Sequence, residues 1–140
     1  MDDPRGFDLP MKLPGMIYMS SWAGLSLAAC TVQQVYRNDV YLQNTCGVPL
    51  ELTLANDSNY DDQPRSFTLA PNERNSVANY QSFGEDVLGQ ISHRYNLMLK
   101  SPTASKTIDA QALRKAIAGV EKTEEKAVRS WTLDDGAFCP

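Results

Sequence analysis

One histidine, a short run of Asn and Asp, and scattered carboxylates are the side chains of this 140-residue chain whose types and spacing invite chemistry. His93 stands in Ser92-His93-Arg94. As a general base it needs a nucleophile on one side and an orienting acid on the other. Ser92, Glu85 and Asp86 lie near it in sequence, but adjacent positions on a strand point to opposite faces, and no nucleophile-elbow motif accompanies them. The reading is a surface or turn histidine. Asp57, Asn59 and Asp61 have the alternate-residue spacing of a calcium loop. The sixth position of such a loop takes Gly and here is Asp62; the twelfth takes Glu and here is Thr68. A weak surface calcium site is the most this run supports. A polar strand connector is the simpler reading, because Asn, Asp and Ser build turns through side-chain bonds to the backbone. Glu73, Glu85, Asp86, Asp134 and Asp135 offer carboxylate pairs of the kind that hydrolyse glycosides, as any acidic chain of this length does. Trp131 and the tyrosines read first as core aromatics and second as a sugar-stacking face. A single His excludes a multi-histidine metal site, and no cofactor is expected. A net charge of −4 without a basic patch excludes a protein held to nucleic acid by phosphate neutralisation.

The elements that must carry these residues are mostly strands. The chain is 42% hydrophobic and 21% charged, a globular composition of one domain's length. Val40 and Leu42 alternate with polar neighbours, as do Leu50, Leu52 and Leu54, then Phe67 and Leu69, then Tyr95, Leu97 and Leu99. A period of two places each apolar set on one buried face. Arg74–Tyr80 and Val87–Ile91 are less regular strand candidates. Ser101-Pro102-Thr103-Ala104 turns the chain back into Ser105–Ile108 as a hairpin. Asp109 is placed to cap a helix over about 109–121, in which Leu113, Ala116, Ile117 and Val120 recur at helical spacing. Val128–Leu133, with Trp131, reads as the last strand. The expected fold is mainly β: an antiparallel β-sandwich or small barrel, with the one helix over an end or edge.

The first thirty residues are of another kind. Leu13 to Ala29 holds no charge, follows Lys12, and falls short of the roughly 20 residues that span a bilayer. A basic residue, an apolar core and a small-residue exit read as an export signal rather than an anchor. The exit, Leu27-Ala28-Ala29-Cys30, resembles the lipobox of bacterial lipoproteins. The resemblance covers only this leader. It implies diacylglyceryl on the Cys30 thiol and cleavage that leaves Cys30 as the first mature residue. It also implies that an Asp after the Cys would hold the protein at the inner membrane. Thr31 stands there instead, so the expected location, in a source with two membranes, is the periplasmic face of the outer membrane. Asp2, Asp3 and Asp8 against Arg5 depart from a signal's basic start, so Met11 is the expected initiator, with residues 1–10 structurally idle.

With Cys30 taken by lipid, as the resemblance implies, Cys46 and Cys139 are left as a pair. An exported pair tends to oxidise, so a disulfide is expected; two unpaired buried thiols are the alternative. Two distant Cys and one His lack the spacing of a zinc motif.

The expected organisation is an export signal over 1–29, a lipid-anchored linker over 30–38 and a single β-rich domain over 39–140. Eight extended linker residues span at most about 26–29 Å, less if Val32, Val35 and Tyr36 join a strand. The expected function is a non-catalytic, lipid-anchored envelope protein, held to the membrane through Cys30. It would be a membrane-proximal binding or scaffolding module for envelope protein partners. The alternatives are a periplasmic inhibitor or immunity protein of a hydrolase, using an acidic Asp57–Asp62 loop, and a peptidoglycan- or carbohydrate-binding accessory using an exposed Trp131.

Overall fold

A computed structural model describes residues 31–61 and 63–140. The leader, with Cys30 and the proposed initiator Met11, lies outside the described residues, as does Asp62. The elements run β1 (Val35–Gln43), β2 (Leu50–Ala55), β3 (Arg65–Leu69), β4 (Arg74–Phe83), a 3-10 turn (Leu88–Gln90), β5 (Asn96–Lys100), β6 (Ser105–Asp109), α1 (Ala110–Ala118), β7 (Thr123–Glu125), β8 (Val128–Leu133) and a second 3-10 turn (Gly136–Phe138). They form two four-stranded sheets, ordered β4-β1-β8-β7 and β3-β2-β5-β6. The sheets do not close into a barrel, and the fold is mainly β in the manner of a sandwich. Alternation builds the core: Leu50, Leu52, Leu54, Leu97 and Leu99 from one sheet meet Val40, Leu42, Tyr80, Trp131 and Leu133 from the other. The intervening Glu51, Thr53 and Met98 face water.

Several expectations need correcting. The sandwich is not purely antiparallel, because β1 pairs β8 in parallel, Val40 opposite Trp131 and Leu42 opposite Leu133. The first strand starts at Val35 rather than Asp39, because Val35 to Asn38 find partners in Phe83 to Tyr80. Strand β4 is the longest in the fold, although its sequence alternates poorly. The register slips between Val40 and Tyr41, which leaves Val77 as an extra residue on β4. Val77 and its neighbour Ala78 are both buried there, as a bulge permits. Val87 to Ile91 is a turn, not a strand. Asp86 Oδ1 accepts from the Gly89 amide at 2.8 Å, and Val87 and Ile91 are buried at either end of it.

Helix α1 begins as expected. Asp109 Oδ1 accepts from the Ala112 amide at 2.8 Å, satisfying a first-turn donor. The helix stops at Ala118, with Gly119 as its C-cap, three residues short of the expected end. Its Ala110, Leu113 and Ile117 are buried, and it packs on β6 and β8, so it closes one side of the sandwich.

Candidate functional site

The strand directions place three termini together. β1 and β8 run parallel and β4 runs against them, so the starts of β1 and β8 and the finish of β4 share one end of their sheet. On its outer face at this end Val35 lies opposite Phe83, and Arg37 lies opposite Val128. Phe83 is 58% exposed, Val35 is 42% exposed, and Val32 just ahead of β1 is almost wholly so. Tyr60 reaches in from the β2–β3 connection, its hydroxyl donating to Asn79 Oδ1 at 2.5 Å. Val35, Tyr60, Gln81 and Phe83 line a shallow hollow of about 220 Å³ there.

The inner face at the same end is polar and closed. Arg129 shares the core parity of Trp131 and Leu133 and is only 2% exposed. Its guanidinium lies over the Tyr36 ring, 3.6 Å from the centroid, an attractive cation–π geometry. It donates to the Gly84 carbonyl, to Glu85 Oε1 at 2.9 Å and to Glu124 Oε2 at 3.4 Å. Lys122 bridges the same two carboxylates, at 3.2 Å to Glu85 and 3.0 Å to Glu124. The Glu124 hydrogen bond holds the Lys122 ammonium above its ordinary pKa, with Glu85 adding to it. In return, the Lys122 hydrogen bond holds the Glu124 carboxyl below the usual range. Two cations and two carboxylates thus neutralise one another. Breaking such a set by removing Arg129 leaves unpaired charge and a hole; an exposed surface pair is worth little alone.

A larger hollow lies elsewhere among the described residues. A half-open cleft of about 480 Å³ runs between α1 and the C-terminal segment, lined by Ile108, Ala112, Ala116, Val120, Leu133 and Phe138. Lys106, Lys115, Asp134 and Asp135 supply its charged lining, and Lys106 donates to the Ala137 carbonyl. The segment is fastened by the Cys46–Cys139 disulfide, whose Cα atoms are 5.5 Å apart, within the distance a disulfide bridges. The expected pairing is therefore present.

The other singled-out residues do not converge. Asp57 is buried, accepts from Arg65 Nε at 2.7 Å, and its carbonyl accepts from the Asn79 amide at 2.8 Å. Asn59 pairs with the Gln81 backbone in both directions, Nδ2 donating to the carbonyl at 2.7 Å and Oδ1 accepting from the amide at 2.8 Å. Asp61 Oδ1 accepts from its own loop at Gln63. The run is a cap on the free edge of β4, an edge that would otherwise offer unpaired backbone groups to another chain. Among the described residues no group of three or more His, Cys, Asp or Glu is arranged to hold a metal. His93 is exposed in a turn, beside Arg94. Glu73 and Glu85 stand at opposite ends of β4, Glu73 accepting from the Ala70 amide. Asp135 caps the second 3-10 turn, and Asp86, just ahead of the first, accepts from the Gly89 amide. Trp131 is buried in the core, which counts against a sugar site that stacks on it.

Arg129 and the Val35–Phe83–Val128 cluster went unread in sequence. For Arg129 the available signal was its parity with Trp131 and Leu133. Val35, Phe83 and Val128 gave none, since each is a single outward residue until the strands pair. Compared with family models, curated proteins and solved structures, the chain matches none.

Proposed function

We propose that this chain is a non-catalytic, lipid-anchored envelope protein whose sandwich serves as a membrane-proximal binding or scaffolding module. Its expected place is the periplasmic face of the outer membrane, and its partners are envelope proteins. One observation carries the reading: β1 begins at Val35, so only four residues separate it from Cys30, the residue the lipobox resemblance marks for acylation. Five extended steps reach about 16–18 Å. A domain on so short a leash works against the membrane surface. Partners sharing that surface meet it at high effective concentration.

The test is the mass and location of the mature protein. Wild type is expected to carry diacylglyceryl on Cys30 and to fractionate with membranes. Cys30→Ser is expected to accumulate as an uncleaved precursor. An unmodified Cys30 in membrane-extracted wild type rejects the anchor. A flexible thirty-residue insert between Thr31 and Gln34 tests the leash: full complementation of a deletion strain by that variant rejects the membrane-proximal role.

A further inference from the structure

We propose that the exposed apolar cluster of Val32, Val35, Phe83 and Val128, with Tyr60 at its border, is a lipid-contact surface that seats the sandwich on the bilayer. It rests on the reading that Cys30 is acylated. The cluster lies where the described chain begins: Val32 is two residues from Cys30, and Val35, Phe83 and Val128 sit at the end of the sheet from which β1 starts. An acylated Cys30 would lie at the headgroup level, so the tether alone keeps Val32 within about 7 Å of lipid and Val35 within about 18 Å. Monomeric proteins seldom leave grouped apolar side chains uncovered without a use for them. Here Phe83 and Val35 are cross-strand neighbours on an outer face that continues through Arg37, Asp39, Asn79, Gln81 and Ser130, with Tyr41 at the far end. The apolar residues are thus gathered at the tethered end rather than spread over the sheet.

The electrostatics commit the cluster to lipid of low net charge. Arg37, beside Val128 in the sheet, is paired with Asp39 at 2.9 Å, and Glu125 and Lys126, which share a hollow with Val128, are one charge of each sign. Glu85 and Glu124, just behind the cluster, are neutralised by Lys122 and Arg129. The surface therefore presents neither the basic face that seeks anionic headgroups nor an unpaired acidic rim that phosphate would repel. Tyr60, with an apolar ring and a hydroxyl held by Asn79, is of the type that sits at the headgroup boundary.

The test uses the mature lipidated protein in phosphatidylcholine vesicles with and without brominated acyl chains, which quench tryptophan on contact. Phe83→Trp and Val128→Trp place reporters in the cluster at exposed positions where a larger ring is accommodated. Met98→Trp places one on the outward face of the other sheet, which is also exposed. Wild type, with Trp131 buried, supplies the baseline. The added emission of both cluster reporters is expected to fall at least twofold in brominated vesicles, with that of Met98→Trp unchanged. Cluster reporters quenched no more than Met98→Trp, in protein that floats with the vesicles, overturn the proposal and leave the face to a protein partner. Protein that does not float rejects the anchoring on Cys30 itself, and the seating with it.

Discussion

Removing the Cys46–Cys139 bond separates the stability of the packed sheets from that of the closed chain. The two residues are 93 apart in sequence. Cross-linking across a loop of that length removes denatured-state entropy equivalent to about 4–5 kcal/mol at 25 °C. Domains of this size are stable by roughly 5–15 kcal/mol in all, so the bond accounts for about a quarter of the total or more. Cys46→Ala/Cys139→Ala is expected to unfold in urea at a midpoint about 2 M lower, given a slope near 2 kcal/mol per M. The slope itself is expected to rise, because an uncrosslinked denatured chain exposes more surface. Fluorescence of Trp131, buried between the sheets, reports the transition. Wild type treated with reductant is the control that keeps both sulfur atoms in place against the core. If oxidised and reduced protein unfold within about 0.3 M of each other, the entropic reasoning fails and the bond only fastens the tail beside the α1 cleft.

Two further outcomes follow from named contacts. Asn59→Ala removes both hydrogen bonds to Gln81 and is expected to cost about 1–3 kcal/mol; it also uncovers the edge of β4, so analytical ultracentrifugation is expected to show self-association that wild type lacks. Burial raises the phenol pKa of both Tyr80 and Tyr95 above its ordinary value, so the folded state keeps protons that the unfolded chain releases above about pH 10; stability is then unaffected below that pH and falls above it by up to about 1.4 kcal/mol per pH unit for each ring, and ultraviolet titration in which these two phenols ionise with the rest before unfolding would contradict it.

The readable parts of the fold were those where parity was clean and local. Leu50, Leu52, Leu54, Leu97 and Leu99 alternate without interruption, and Asp109 stands where a helix cap is needed. Strand β4 was obscured because the bulge sets two buried residues, Val77 and Ala78, side by side. Val87 and Ile91, four apart, satisfy strand parity and a helical turn equally; the bond from the Gly89 amide to Asp86 decides for the turn. The pairing of Cys46 with Cys139 was reachable through the leader, which assigns Cys30 another task. The Asn-Asp run announced polarity but not its target, since the backbone it covers lies some twenty residues further on. Pairing of β1 with β8 leaves no local trace at all, and with it went the cluster at their common end.

That pairing also sets an order of events. The β3-β2-β5-β6 sheet is drawn wholly from residues 50–109 and is stitched by neighbouring strands, so it can assemble while the tail is still elsewhere. The other sheet is finished last: β1 pairs β4 without the tail, but the second edge of β1, and with it Trp131 and Leu133 of the core, is filled only by β8. A chain made amino-terminus first therefore holds an unfinished core until β8 arrives. Docking of β8 is the act that shuts the domain, which makes it a completion check: a chain clipped ahead of it lacks Trp131 and Leu133 in its core.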